Sequence, residues 1–429
     1  MSHTLQLLLL LSLIIVAAKL AGAAANRIGQ PAVFGEILAG LILGPTVLDI
    51  LGWSLFTPAG GPAHGVAGPT LLGNVENFAE LGVILLMFIA GMETDLKEMR
   101  RVGHVAFWSA FGGVLLPFLG GTAVASAFGL PVFWEGIFMG TILTATSVSI
   151  SAQTLMELGA LQSQEGSTIL GAAVIDDVMG ILVLSFVVAF ARTSGEVDLL
   201  GTGAIVLRLV AYFVAAIWIG TKGFEHIARW ADRLGVSQGL IAIVLVVAFL
   251  YAWSAEYVGG VAAITGSYLA GVLFAQTPYK HRIDAGIHPL TYSMLVPVFF
   301  ISVGLRANGR ELGDSVALTV ALVLVAIVTK AIGCGLFARL FGFSTRAAVR
   351  VGIGMISRGE VGLIVAGYGL QHGIIGTSVF SASVIMVLVT TMVTPPLLRT
   401  VFPQGVAPER RPVVEETVGG PPEEASRGH

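Results

Sequence analysis

Runs of about 17 to 28 mostly apolar residues recur along the chain as far as Val401, separated by short stretches of Gly, Pro, Asp or basic residues. A helix rises 1.5 Å per residue, so each run suits a hydrocarbon layer roughly 30 Å thick. In lipid every backbone polar group needs a partner inside the protein, and runs of this length meet that need as helices. The expectation is an all-α polytopic membrane protein. Spans are expected near residues 4–23, 31–50, 70–91, 104–128, 132–158, 165–192, 199–221, 237–255, 260–276, 287–306, 315–338, 345–370 and 374–401, about thirteen in all. Composition agrees, with 55% hydrophobic and 11% charged residues and a mean hydropathy of +0.89. A net charge of −3 provides no basic field for nucleic acid, and no nucleic-acid partner is expected.

The charges that remain fall mainly between the runs and report orientation. Arg27, Lys97, Arg100, Arg101, Lys222, Arg229, Arg233, Lys280, Arg282, Arg339, Arg346 and Arg350 fall in alternate connections, whereas the opposite set carries little beyond Arg192, Arg306 and Arg310. The positive-inside rule assigns the first set to the cytoplasm, with the N-terminus outside and the C-terminus cytoplasmic. Residues 403–429, rich in Pro, Glu, Gly and Arg, read as a disordered cytoplasmic tail. The first run ends in small residues like a signal peptide, but no Lys or Arg precedes it, so it reads as a retained helix. The single cysteine, Cys334, excludes an internal disulfide and reads as a small core residue.

An internal echo links the second and ninth spans, where Phe34-Gly35-Glu36-Ile37-Leu38-Ala39-Gly40-Leu41 aligns with Thr265-Gly266-Ser267-Tyr268-Leu269-Ala270-Gly271-Val272. A weaker one links Phe88-Ile89-Ala90-Gly91 to Phe300-Ile301-Ser302-Val303-Gly304, in the third and tenth. Both pairs lie seven spans apart. An odd separation makes the halves inverted repeats, the plan of many secondary transporters, with the ion site near the midplane. The competing reading is shared packing composition, since small residues let membrane helices approach closely.

A charge at the centre of a membrane helix costs at least about 2.5 kcal/mol, so each one needs a reason. Five stand out: Asp176 and Asp177 within Ala172–Gly180, Lys330 within Ile327–Ile332, and Arg358 with Glu360 within Met355–Gly362. Adjacent residues on a helix point about 100° apart, so the two aspartates face different partners. One can face an ion cavity and the other a cation, and Lys330 is the only mid-span lysine of the second half. Desolvation opposes ionisation of a carboxylate and a nearby ammonium favours it, so such a site can trade protons against a cation. A structural ion pair alone would leave the second aspartate without a reason.

A small cation needs several oxygens. The fifth span supplies Thr141, Thr144, Thr146, Ser147, Ser149 and Ser151, a density of hydroxyls that competes with helical backbone bonds and points to a break at mid-membrane. Arg358 and Glu360 occupy the corresponding place seven spans later, where their charges can offset half-helix dipoles as structural or gating groups. Glu36, among small residues, either pairs with Arg358 or lines a cavity. His226 and His281 fall in expected cytoplasmic connections and carry no particular signal.

The segments Pro31–Gly40 through Gly44-Pro45, Met87–Leu96, Ala145–Val148, the Asp176-Asp177 helix and Arg358–Leu363 together resemble the second monovalent cation:proton antiporter family, in particular NapA-type bacterial Na+/H+ antiporters. The resemblance spans about residues 27–400 in order. It implies a NapA/NhaA-like fold of thirteen helices with inverted repeats and broken crossing helices, occupying residues 1–402 of the inner membrane as a homodimer. A dimerisation part near 1–60 and 199–286 and a mobile core near 70–192 and 287–402 are implied. So are Asp177 as the carboxylate for Na+ and protons, Asp176 as the partner of Lys330 in a salt-bridge switch, and Thr146 and Ser147 at the broken crossing. The Asp-Asp pair implies electrogenic exchange of two protons per sodium. No cofactor is expected. The potassium-efflux branch usually has a Gln-Asp pair and a C-terminal nucleotide-binding domain, and this sequence has neither. Ser149 and Gln153 depart from the Gly and Arg that related members often carry.

The leading expectation is therefore Na+(Li+)/H+ antiport in lipid, with K+/H+ antiport or a sensor without flux as alternatives. No enzymatic activity is expected: an intramembrane aspartyl protease needs aspartates on separate helices, and no Walker-type loop supports an ATP-driven pump.

Overall fold

The computed structural model describes residues 2–56, 68–192, 199–306, 316–371 and 373–402, so the expected tail at 403–429 lies outside the described residues. Among the described residues there is no β-strand, and nine helices are long and apolar enough to cross a membrane. The long ones are α1 (His3–Arg27), α3 (Gly68–Glu93), α4 (Leu96–Ala127), α7 (Gln164–Arg192), α8 (Leu199–Asp232), α9 (Gly239–Ser254), the run of α11 (Lys280–Leu290) into α12 (Val296–Leu305), α13 (Val316–Leu340) and α16 (Thr377–Val401). The other expected spans fall on shorter pieces: α2 (Ala32–Leu43), α10 (Ala263–Phe274), and two interrupted segments. The interrupted ones are α5 (Ile137–Thr144) with α6 (Val148–Glu157), and α14 (Thr345–Gly354) with α15 (Glu360–Gln371).

Several boundaries differ from the hydropathy reading. Helix α8 runs on to Asp232 and α11 begins at Lys280, so His226 and His281 lie on helices and not in connections. Hydropathy marks where lipid ends. Amphipathic turns beyond it stay helical because their backbone bonds are local.

The helices pack as two groups. In the first, α2 lies against α1 and α12, and α3 against α10 and α12, with α9 beside α10. In the second, α4 lies against α13, α7 and α5, while α13 contacts α14 and α16, and α15 contacts α16 and α5. Helix α8 touches α7, α9 and α10.

The repeated glycines explain the first group. A Cβ added at Gly271 of α10 would stand 2.0 Å from the Phe88 carbonyl oxygen of α3, and one at Gly40 of α2 would stand 2.2 Å from that of Ile301 on α12. These two glycines occupy the same position of the echo, and each meets the third-span segment of the other half. The echo and the close packing thus fall on the same residues: small side chains are what so close a crossing of backbones requires.

A candidate ion site at two broken helices

Helix α5 stops at Thr144, and Ala145 and Ser147 adopt extended backbone before α6 begins. The hydroxyls that compete with the helix here bond across to the other break. Ser147 N donates to the Ser357 carbonyl at 2.8 Å, and Ser357 Oγ donates to the Ser147 carbonyl at 2.7 Å. Ser151 Oγ reaches the Gly354 carbonyl at 2.5 Å and lies 3.1 Å from Ser357 Oγ. Two interruptions that would each strand polar backbone in hydrocarbon satisfy one another instead.

The last carbonyls of α5, where the helix dipole is negative, are met by cations. Lys330 Nζ donates to the Thr144 carbonyl at 2.8 Å, and Arg358 Nη1 to the Ala145 carbonyl at 2.7 Å. Arg358 Nη2 reaches the Ala326 carbonyl at 3.3 Å, and its own backbone is held by Thr390 and Thr391. Both cations are fully buried.

Lys330 has a second partner. Its Nζ lies 2.8 Å from Asp176 Oδ1, while Thr146 Oγ1 donates to Asp176 Oδ2 at 2.6 Å. Each carboxylate oxygen of Asp176 is thereby engaged, and the residue is 1% exposed. A buried pair of this kind adds little net stability, but removing one member would strand the other. Asp177, one step round α7, faces the first group of helices, where Thr265 Oγ1 of α10 donates to its Oδ2 at 3.2 Å. The neighbouring carboxylates therefore belong to different interfaces, as the 100° helical step requires.

The other sequence candidates are dispersed. Ser147 Oγ pairs with Ser149 Oγ at 3.2 Å, at the start of α6. Glu360 opens α15, and its side chain lies outside the described residues. Glu36 does not meet Arg358; it is buried beside a cavity of about 390 Å³ that is also lined by Lys19, Gln153, Glu157, Tyr292 and Arg399. Glu157 Oε2 accepts from the α2 backbone at Ala32 N, 2.7 Å away, and Lys19 Nζ donates to the Tyr292 carbonyl at 2.8 Å. Gln153, a departure from the resembled pattern, accepts from Tyr292 Oη and donates to Glu157. The sequence reading passed over Lys19, though a lone charge inside the first run was visible. Thr265 gave less signal, since a single threonine in an apolar helix most often bonds its own backbone.

Two cavities lie near the site, one reaching the breaks and the other reaching Thr265. One of about 320 Å³ has Glu76, Glu80 and Arg306 among its lining and reaches Ile150 and Gly359; Arg306 Nε is 3.0 Å from Glu76 Oε1. Another of about 270 Å³ runs from Met99 and Gly103 between α4, α7 and α10 to Thr265.

Known proteins are similar to this chain in sequence and in fold. It is 40% identical to the Na+/H+-K+ antiporter GerN of Bacillus cereus, over 91% of this chain and 95% of that one. It is 36% identical to a Na+/H+ antiporter of Enterococcus hirae, over 91% and 96% respectively. A sodium proton antiporter of Methanocaldococcus jannaschii, solved at pH 8 and 17% identical, superposes with a TM-score of 0.68 over 93% of this chain and 97% of that one. The profile of the transmembrane sodium/hydrogen exchangers matches residues 12–402, and the chain belongs to that family of monovalent cation:proton antiporters.

Proposed function

We propose that this protein exchanges Na+ or Li+ for protons across the inner membrane, with both competing for Asp177. The observation that carries the reading is the contrast within the acidic pair. Asp176 is tied up by Lys330 and Thr146, whereas Asp177 faces the seam between the two helix groups. A carboxylate at a seam can be reached from one side of the membrane and then the other as the groups slide. A proton or a cation neutralises it for the passage, and loading one expels the other. The Lys330–Asp176 pair acts as the switch: a proton accepted by the pair when the site empties makes two protons per cation and electrogenic exchange.

On the packing, the mobile body comprises α4–α7 and α13–α16, while α3 and the α11–α12 run stay with the first group. That moves the third and tenth spans out of the core boundaries expected from resemblance. Arg358 holds the end of α5 rigid in the moving body. The N-terminus lies outside, the C-terminus in the cytoplasm, and the first group supplies a homodimer interface. Potassium is the second reading, supported by the Na+/H+-K+ name of the Bacillus cereus relative.

The test is dequenching of a trapped pH dye in proteoliposomes on addition of Na+, Li+ or K+. Wild type should respond and Asp177→Asn should lose about a hundredfold or more of the rate, an oxygen ligand and a titrating group having gone together. Sustained activity in that variant would remove Asp177 from the site. A clamped membrane potential should change the wild-type rate; indifference to it would sink the electrogenic reading.

A further inference from the structure

Thr265 is a point at which the first helix group touches the acidic pair. The hydroxyls nominated by the sequence are engaged elsewhere, Thr146 with Asp176 and Ser147 with Ser149. Thr265 sits in the first turn of α10, is 3% exposed, and donates to Asp177 Oδ2 at 3.2 Å across the seam. It also lines the cavity that leads to this seam from Met99 and Gly103.

We infer that Thr265 is a cation ligand that sets the preference of the site for small ions. A threonine hydroxyl carries one donor and two lone pairs, so turning its hydrogen away offers a lone pair to the space shared with Asp177 without moving a heavy atom. Two oxygens separated by 3.2 Å can each lie about 2.3–2.6 Å from one ion, the range for calcium, whose radius is close to that of sodium. They then subtend roughly 75–90° at the ion, as neighbouring ligands in an octahedral shell do. A larger ion sits farther from both oxygens and squeezes that angle, so it gains less from the second oxygen. Between loadings the same hydroxyl donates to the ionised carboxylate and holds it in place.

The position adds a directional consequence. Because α10 belongs to the first group and α7 to the second, sliding of the groups withdraws Thr265 from Asp177. The ion loses one oxygen on passage and leaves more readily on the other side. Discrimination is exercised where the two residues meet.

This inference rests on the antiport reading, and one set of measurements separates them. Apparent KM and Vmax for Na+ and K+ are measured in proteoliposomes for wild type, Thr265→Val, Thr265→Ala and Thr265→Ser. Loss of one neutral ligand predicts that valine raises the Na+ KM about tenfold and the K+ KM less than about threefold, with Vmax within about twofold. Serine, which keeps the hydroxyl, should restore the wild-type ratio; alanine serves as the second hydroxyl-free variant if valine does not fold. Stabilisation of the purified variants by Na+ against K+ in thermal unfolding should fall in parallel. Equal changes for both ions, an unchanged Na+ KM, or failure of serine to rescue would each overturn the assignment. A folded wild type that exchanges neither ion overturns the antiport reading and this inference with it.

Discussion

Where α10 meets α3 and α2 meets α12, backbone touches backbone through glycines; where α5–α6 meets α14–α15, two broken helices are joined by hydroxyls and buried cations. Both contacts cross-connect the same two halves of the chain. The first is dry and depends on having no side chain, so it tolerates no added atom. The second strands carbonyls and then satisfies them, so it tolerates shape changes better than the loss of a partner. A transporter needs both kinds, a scaffold that does not yield and a polar centre whose charges can be exchanged.

The dry contact gives the largest expected effect. Gly271→Val places branched carbons where a single Cβ already stands 2.0 Å from the Phe88 carbonyl oxygen, a backbone atom that cannot turn aside. Overpacking a well-packed core typically costs about 1–3 kcal/mol, and backbone contact takes this case beyond that range. Loss of the monodisperse folded species in detergent is expected; a folded Gly271→Val protein would mean that α10 and α3 do not pack in this register.

At the polar centre, Asp176→Ala leaves Lys330 buried and short of its carboxylate. About 3–5 kcal/mol of destabilisation is expected for breaking such a pair, read as a fall in the thermal midpoint. The Asp176→Ala, Lys330→Met double variant should recover most of it, since removing both charges removes the stranded one. Additive losses would show that the two residues act independently. Ser357→Ala comes next. It deletes the donor to the Ser147 carbonyl and should cost about 1–3 kcal/mol, the penalty for an unsatisfied buried acceptor.

The apolar runs, the hydroxyl-rich fifth span and the charges at 176, 177, 330 and 358 were legible because each breaks or obeys a local rule of the membrane. Hydroxyl density pointed to a break somewhere in the fifth span, and the resemblance put Thr146 and Ser147 at it; the helix ends at Thr144. What the local rules could not give was partnership. Nothing in the sequence places Lys330 on the end of α5 as well as on Asp176, or brings Thr265 to Asp177, because those contacts join residues 186 and 88 positions apart. Glu36 shows the same limit: its burial followed from its neighbours, but its company of Lys19 and Glu157 depends on how three separate helices converge.

The smallest effect sharpens the comparison most. Glu157 on α6 accepts from the N-terminal backbone of α2 at Ala32, a bond between the two helix groups, whereas Glu165 on α7 pairs with Arg350 on α14 at 2.7 Å inside the second group. Glu157 is exposed, and a carboxylate at an exposed helix N-terminus contributes only about 0.3–1 kcal/mol. Neither Glu157→Gln nor Glu165→Gln should therefore unfold the protein. Their effects on transport should differ in kind. If the groups slide, the Glu157 bond must open in every cycle, and weakening it should change Vmax by up to about fivefold while leaving the cation KM unchanged. The Glu165 bond travels with its own group and never opens, so Glu165→Gln should leave Vmax where it was and lower only the thermal midpoint. Equal Vmax changes in the two variants would mean that the seam of motion does not run between α2 and α6, and the division of the helices into a fixed and a moving body would have to be redrawn.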